Sequence, residues 1–207
     1  QETCDLIMTL SAHSSHPVTE MQHISYRDAF LHASGVDPFK ASIEELRAAT
    51  LHHAPNFNID AGTCNKSLPD RQLWLDLLAA ATVYPSLTGE KLWVVDKFPA
   101  DQAMLARLNP DDPSVAERFE VFLQGVELAN GFRELRDYAE QAERFAADRE
   151  HRAAMGAPDI FPDTRLLAAL NAGLPDCAGV AVGLDRIMLV TSRLAELRAT
   201  MSFAPGA

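Results

Sequence analysis

Two glutamates, Glu120 and Glu127, are placed where their carboxylates could act together. They lie in consecutive β-rich segments, 116–123 and 126–131, which are joined by Gln124-Gly125. A glycine in a two-residue connection is typical of a tight β-hairpin turn. Such a hairpin would make the two glutamates diagonal neighbours on one face, with Cα atoms roughly 7–8 Å apart. Carboxylates at that separation repel each other unless a cation lies between them or one of them is protonated.

The same hairpin predicts the neighbours of this pair. If the turn has two residues, Phe122 lies opposite Glu127, and side-chain alternation puts Phe122 and Ala129 on the face of the glutamates. Oxygen ligands of this kind suit Mg²⁺, which takes one or two carboxylates together with substrate phosphates. The spacing alone favours a simpler arrangement, in which the glutamates face solvent or pair with Arg118 and Arg133. A three-residue turn would change the shared face.

A second candidate lies at Gly179–Arg186, where a short apolar strand runs into a helix. Glycine at Gly183 would let a flat ligand lie against the main chain. Arg186 falls in the first helical turn, where main-chain donors favour an anion. An arginine there can stack on a base while it faces a phosphate. A tight strand–helix junction, with Arg186 paired to Asp185 or another acid, would explain the same residues without a ligand.

Together, the two segments resemble the end of a class II lysyl-tRNA synthetase catalytic domain. The similarity extends over 25–203, and 179–186 is similar to motif 3 of that class. Further matches indicate the short branch of the family that attaches lysine, usually (R)-β-lysine, to elongation factor P. The residues that carry the resemblance are Phe119-Glu120, Glu127-Leu128-Ala129-Asn130-Gly131-Phe132, Glu134-Leu135, Gly-x-x-x-Gly-x-Asp-Arg at 179–186, Phe98-Pro99-Ala100 and Pro175-Asp176-Cys177.

The resemblance implies a role for each of these positions. Glu120 and Glu127 would coordinate Mg²⁺ on the phosphates of ATP, and Glu127 and Leu128 would lie at the nucleotide. Gly183 would contact the adenine, and Arg186, the expected catalytic residue, would stack over it. The implied reaction is the ATP-dependent activation of lysine or β-lysine as an adenylate, followed by transfer to a lysine of elongation factor P. The residues implied for the amino-acid pocket are Asn130, Phe132 and Glu134, with Glu134 pairing with the side-chain ammonium.

Two parts of the family pattern have no counterpart in this sequence: the dimer-forming motif 1, and the motif 2 loop whose arginine grips the α-phosphate. We therefore expect 1–207 to be the C-terminal portion of a single catalytic domain, inactive alone, with a helix-and-loop lead-in at 1–24. When full length, the domain is expected to form a homodimer. Two alternatives stay open: a fragment of a genuine lysyl-tRNA synthetase that charges tRNA, and a non-catalytic paralogue that binds nucleotide or protein.

The composition restricts the class of function. The net charge of −11, from 29 acidic and 18 basic residues, argues against a large nucleic-acid footprint. No stretch approaches the roughly 20 apolar residues of a membrane span, and the first residues show no signal peptide. Three widely spaced cysteines form no disulfide framework. These features predict a cytoplasmic protein without a membrane partner.

The elements that must position these residues are strands and helices with clear boundary signals. Helix signals occur at 2–12, at Ser25 with a stop at Gly35, at Ser42 with a capping box, at 69–84, at 137–155, at Asp163 and at 184–200. Strands are predicted at 92–98, 116–123, 126–131 and 179–183, and 11–23 is predicted to be a loop. Because the strands are neighbours through hairpins, we expect an α+β fold with an antiparallel β-sheet and flanking helices.

Overall fold

A five-stranded β-sheet forms the centre of the protein in a computed structural model, which describes residues 1–55 and 71–204. The strands lie side by side in chain order. The first pair, β1 with β2, is parallel, and every later pair is antiparallel. The α+β prediction is confirmed, with one parallel edge. The strands are β1 (Met21–Ser25), β2 (Leu92–Pro99), β3 (Val115–Leu123), β4 (Val126–Arg133) and β5 (Ala178–Val182).

Helices flank the sheet before, between and after its strands. Their bounds are α1 (Glu2–Ser11), α2 (Tyr26–Ser34), α3 (Ile43–His53), α4 (Arg71–Leu78), α5 (Tyr84–Ser86), α6 (Tyr138–Ala154), α7 (Thr164–Ala172) and α8 (Leu184–Thr191). A π-helical turn, Ala79–Val83, joins α4 to α5, and 3₁₀ turns lie at Ala100–Gln102 and Leu197–Thr200. In the described part of the chain, no helix has the length and apolar character that crossing a membrane requires.

Local capping explains where two of these helices begin. The Ser25 hydroxyl accepts a hydrogen bond from the Asp28 N–H at the start of α2, and Gly35 ends that helix in the left-handed conformation. Ser42 and Glu45 form the predicted capping box at the start of α3. These contacts satisfy main-chain groups that a helix end leaves unpaired. The predicted helix boundaries are confirmed here.

Two elements differ from the prediction. The segment 11–23 was expected to be a loop, but β1 begins at Met21, and its five largely polar residues show no apolar alternation. Its pairing with β2, rather than its own pattern, makes it a strand. The closing helix was expected to reach 200, but α8 ends at Thr191. Arg193 has φ +50°, outside the range of a right-handed helix.

The helix predicted at 69–84 is present, although its path is less regular than expected. It continues from α4 through the π-helical turn and α5 as far as Ser86, and 69–70 lie outside the described residues. Trp74, Leu75 and Leu78 of α4 lie in the core. Leu77 packs against the core while partly exposed.

The core lies on both faces of the sheet. One face packs against α2, α3 and α4 through Tyr26, Phe30, Leu46, Leu75, Phe98 and Phe122. The other packs against α1 and α8 through Cys4, Ile7, Leu92, Val121, Leu128, Ala129, Ile187 and Val190. Between β4 and β5 the chain makes an excursion, in which α6 and α7 pack on each other and bury one residue each, Gln141 and Leu170. The sheet is therefore the scaffold that positions any site.

Gly125 docks the β3–β4 turn onto α5. Its φ is +78°, and a Cβ there would lie 3.1 Å from the Tyr84 carbonyl oxygen and 3.3 Å from the Pro85 Cα. Its N–H donates a hydrogen bond to the Leu87 carbonyl at 3.1 Å. The turn is therefore held by a close main-chain approach that excludes a side chain.

We expect Gly125→Ala to lower the free energy of unfolding by about 1–3 kcal/mol more than Gly156→Ala, because it also overpacks the docked turn. Both glycines have positive φ, 78° and 68°, so both variants carry the same kind of backbone strain. No described atom lies within 4 Å of a Cβ at Gly156. Urea denaturation of the two variants measures the difference, and equal losses would contradict docking of the turn.

Candidate active site

The register of β3 against β4 determines which side chains face each other. Next to the turn Phe122 pairs with Glu127, as predicted. Further along, the register shifts by one residue, and Glu120 pairs with Asn130. Ala129, which was predicted to share the face of the glutamates, is instead buried in the core beneath the opposite face. That part of the prediction is wrong because a β-bulge adds one residue to β4.

The three residues expected in an amino-acid pocket lie together on one face. Asn130 pairs with Ala181, and Phe132 pairs with Gly179 on the neighbouring strand, so these side chains project to the same side. Glu134 continues the alternation beyond the end of β4. A Cβ built on Gly179 would collide with Oε1 of Glu134. The absence of a side chain at Gly179 therefore leaves space for that carboxylate.

The Glu134 carboxylate is half-buried and has no counter-charge in the part of the chain that the structure describes. Among residues 1–55 and 71–204, no side chain makes a hydrogen bond or ion pair with it. The main-chain N–H of Glu134 donates a hydrogen bond to the Cys177 carbonyl at 3.1 Å. This bond holds Glu134 next to the start of β5. Burial raises the pKa of Glu134. A half-buried carboxylate without a partner could accept a cationic group.

Asn130 adds an unused acceptor to the same face. Its Oδ1 is buried and has no hydrogen-bond partner within the described residues. A buried acceptor without a donor costs free energy that a ligand donor can recover. The structure thus provides an amide oxygen and a carboxylate, both unsatisfied among the described residues, four residues apart on one face of the sheet.

Glu120 is the most buried carboxylate of the site, with 5% of its surface exposed. It accepts a hydrogen bond from Arg118 at 2.5 Å. Arg118 also donates to the Gln102 carbonyl at 2.8 Å, and its guanidinium lies 4.2 Å from the ring centroid of Phe98. Burial raises the pKa of Glu120 to about 7, although Arg118 lowers it, and the Glu127 carboxylate raises it further. The two glutamates therefore repel each other, as the hairpin predicted.

The residues expected at a nucleotide also come together. Arg186 Nη1 donates to the Glu127 carbonyl at 2.9 Å and lies 3.4 Å from Glu127 Oε2. The Arg186 side chain lies over Gly183, where a Cβ would be 3.3 Å from its Cδ. Leu128 is 1% exposed, with its side chain in the core, and its carbonyl accepts a hydrogen bond from the Gly183 N–H at 2.8 Å. A nucleotide could therefore reach only the main chain of Leu128.

The sequence left open which acids three arginines pair with, and the structure shows the partner of each. Arg118 pairs with Glu120, while Arg133 pairs with Asp176 and lies 4.0 Å from Glu117. Arg186 pairs with an acid other than its neighbour Asp185, namely the glutamate next to the turn. The contact of Arg118 with Glu120 follows from their two-residue spacing on one strand. The pairing of Glu120 with Asn130 requires a bulge that no residue pattern marks.

The residues present fit a divalent cation bound together with phosphates. Within the described part of the chain, no group of three or more His, Cys, Asp or Glu side chains could hold a metal ion alone. Glu120 and Glu127 would supply two carboxylates, and substrate phosphates and water would supply the remaining ligands, as is usual for Mg²⁺. Burial is the main cause of the raised pKa of Glu120, and the Glu127 carboxylate adds to it. A bound cation would relieve this repulsion between the two carboxylates.

Comparison with known protein families decides where this arrangement belongs. The sequence profile described as tRNA synthetases class II (D, K and N) matches residues 4–205. The chain belongs to this family. The assignment confirms the resemblance that the hairpin and the 179–186 segment indicated, together with the predicted fold class.

Several relatives of this class II synthetase chain share one name. The protein of Hamiltonella defensa called elongation factor P–(R)-β-lysine ligase is 40% identical over 203 residues, 98% of this chain and 59% of the relative. Proteins of the same name from Photorhabdus laumondii and Proteus mirabilis are 42% and 41% identical over 183 and 182 residues. These matches cover 88% of this chain and 54% of each relative. The synthetase chain therefore spans just over half the length of these relatives.

Removing the charge of Glu134 is expected to stabilise the ligand-free protein. Its folded pKa is raised above the ordinary 4.5, so its stabilising contribution is present below pH 4.5 and is lost as pH rises through the folded value. Glu134→Gln should therefore raise the free energy of unfolding at pH 8, by less than about 1 kcal/mol because solvent reaches the site, and leave it unchanged at pH 4. Chemical denaturation at the two pH values measures both effects.

Glu117→Gln is the matched control, since Glu117 is also half-buried but is paired with Arg107. This variant should be neutral or less stable at pH 8. Stabilisation by Glu117→Gln, or destabilisation by Glu134→Gln at pH 8, would contradict the absence of a counter-charge at Glu134.

Proposed function

We propose that this chain is the ATP- and lysine-binding part of a ligase that activates lysine or β-lysine as an adenylate and transfers it to a lysine of elongation factor P. The observation that carries this proposal is the Glu134 carboxylate, half-buried and without a counter-charge among the described residues, on the same face of the sheet as the unsatisfied Oδ1 of Asn130. The names of the relatives, elongation factor P–(R)-β-lysine ligases, support the choice of substrates.

The proposed pocket selects an amino acid with a cationic side chain. Glu134 accepts hydrogen bonds from the terminal ammonium, and that pairing removes the free-energy cost of an uncompensated carboxylate. Asn130 accepts a further hydrogen bond from the substrate. Phe132 is partly buried against Ala103, Ala106 and Ala116, and it offers an apolar wall for the methylene stem.

ATP binds at the opposite end of the same hairpin in this proposal. Mg²⁺ held by Glu120 and Glu127 would neutralise charge that develops on the phosphates. Arg186 is already held over Gly183 by its hydrogen bond to the main chain of Glu127, in an orientation that lets its guanidinium plane stack on a base. Arg118 lowers the pKa of Glu120 against the effect of burial, and its hydrogen bond holds that carboxylate in place.

The reaction requires orientation rather than a protein nucleophile. The substrate carboxylate attacks the α-phosphate and pyrophosphate leaves. The amine of the acceptor lysine then attacks the activated carbonyl and AMP leaves. The chain holds the two substrates from one β-sheet face, so they meet in a fixed geometry. No residue in 1–207 corresponds to the motif 2 arginine, so we propose that the chain is a C-terminal portion of one catalytic domain, inactive alone and dimeric when full length.

We expect the complete gene product that carries this chain to add one lysyl unit to elongation factor P in the presence of ATP, Mg²⁺ and β-lysine. Intact mass spectrometry of elongation factor P measures the gain, with ATP omitted as the control. Aminoacylation of tRNA without a mass gain would mean that tRNA, and not elongation factor P, is the acceptor. That result would favour a lysyl-tRNA synthetase. Neither product, from folded protein, would indicate a non-catalytic paralogue and overturn the proposal.

The role of Glu134 is tested by lysine-dependent ATP–pyrophosphate exchange in the same complete protein. Glu134→Gln removes the partner of the ammonium, so kcat/KM for lysine should fall at least about 30-fold, corresponding to the 2 kcal/mol or more lost with one partner of a buried charge pair. Glu117→Gln changes an ion pair outside the proposed pocket and should leave this ratio within a few-fold. Intact lysine activation in Glu134→Gln would remove Glu134 from the site.

A further inference from the structure

A short irregular segment, 104–107, pairs with the main chain around Glu134 on the edge opposite β5. Leu135 donates its N–H to the Leu105 carbonyl at 2.9 Å, and Arg107 donates its N–H to the Arg133 carbonyl at 2.9 Å. Ala106 forms an isolated antiparallel bridge with Glu134 between these two bonds. On its other side, Glu134 is bonded to the main chain of 177. The main chain that carries the carboxylate is thus held between two neighbouring segments.

Arg144 on α6 binds the outer edge of this segment. Its Nη1 donates to the Met104 carbonyl at 2.9 Å and to the Ala106 carbonyl at 2.8 Å. Its Nη2 donates to Glu140 at 2.5 Å, which fixes the guanidinium against its own helix. Met104 has φ +52°, an uncommon value for a residue other than glycine, so the segment needs external contacts to keep its shape.

These contacts close a ring of structure around Glu134. The chain leaves Glu134, reaches the N-cap Asp137 three residues later, and follows α6 to Arg144. Arg144 then returns to Ala106, the bridge partner of Glu134. Within α6 only Gln141 is buried, so apolar packing supplies little of the attachment of this helix to the sheet. The two hydrogen bonds from Arg144 are therefore a main link between α6 and the strand that carries Glu134.

We propose that Arg144 is a positioning residue for Glu134: by clamping the carbonyls of Met104 and Ala106, it fixes the main chain beside the carboxylate and so sets the affinity for the substrate ammonium. This inference rests on the proposed function, because it assigns the clamp to lysine binding. The inference predicts that Arg144 affects the binding of the amino acid but not that of ATP, since among the described residues Arg144 contacts neither Glu120 nor Glu127.

The test compares Arg144→Met with the unsubstituted complete gene product in two measurements. Amide hydrogen exchange should become about 10-fold faster at Leu135 and Arg107, whose hydrogen bonds depend on the clamped segment, while β3 and β4 amides near the turn keep their protection. In lysine-dependent ATP–pyrophosphate exchange, KM for lysine should rise about 10- to 100-fold, since a displacement of about 1 Å has effects of this size. KM for ATP should stay within about 2-fold, as a local effect requires.

Two further variants separate positioning from general damage. Arg149→Met is the matched control: Arg149 lies on the same helix and makes a bidentate pair, but with Asp159 in the α6–α7 connection. It should leave both measurements unchanged. Arg144→Lys keeps the charge and one donor nitrogen for the carbonyls but lacks the second nitrogen that binds Glu140, so we expect it to restore part of the lysine affinity.

Each outcome decides the inference. Faster exchange at Leu135 with an unchanged KM for lysine would overturn it, because the clamp would then have no bearing on the carboxylate. A parallel rise in both KM values, or the same losses in Arg149→Met, would indicate a structural role and also overturn it. If the unsubstituted protein shows no lysine-dependent exchange while Arg144→Met loosens 104–107, the proposed function fails and the assignment to lysine falls with it, although the clamp itself stands.

Discussion

Between the turn and the middle of the hairpin, β4 has one residue more than β3, and this extra residue sets every pairing beyond it. On a regular strand, Glu127 and Asn130 would project to opposite faces, because their spacing is odd. The bulge reverses the alternation, so the glutamate beside the turn and the series Asn130, Phe132 and Glu134 can serve one face. Without it, Glu120 would oppose Ala129, and the unsatisfied amide would lie against the opposite layer of helices.

Residues far from the bulge keep this register in place. Gly125 docks the turn against α5, and its main-chain approach leaves no room for the hairpin to slide. Ala129 and Leu128 are buried between the sheet and the layer of α1 and α8, so a slip by one residue would expose both and bury polar groups instead. The site is therefore specified by apolar packing on the face where no chemistry is expected. The core stabilises this register, whereas the repulsion between Glu120 and Glu127 disfavours it.

Much of this architecture could be predicted from the sequence, for identifiable reasons. The Ser25 and Ser42 caps, the Gln124-Gly125 turn and the strand into 179–183 depend on local chemistry, which a single sequence displays directly. The edge strand at Met21 was missed because its residues are polar and only its partner makes it a strand. The bulge was missed because an extra residue in one strand is defined by two segments together. Arg144 was missed for the same reason, since its acceptors are main-chain carbonyls in another part of the chain.

Charge on the site face distinguishes the three glutamates that recur along the hairpin. Glu120 is buried and paired with Arg118, and Glu127 is half-exposed and paired with Arg186, so each has a guanidinium within the protein. Glu134 alone has none among the described residues. Three carboxylates against two guanidinium groups leave one negative charge, and it lies at the end where the proposed substrate brings an ammonium. An amino acid with a neutral side chain would leave that charge uncompensated in a half-buried position. Discrimination between cationic and neutral amino acids would therefore come from the free energy of an unpaired carboxylate more than from the shape of the pocket.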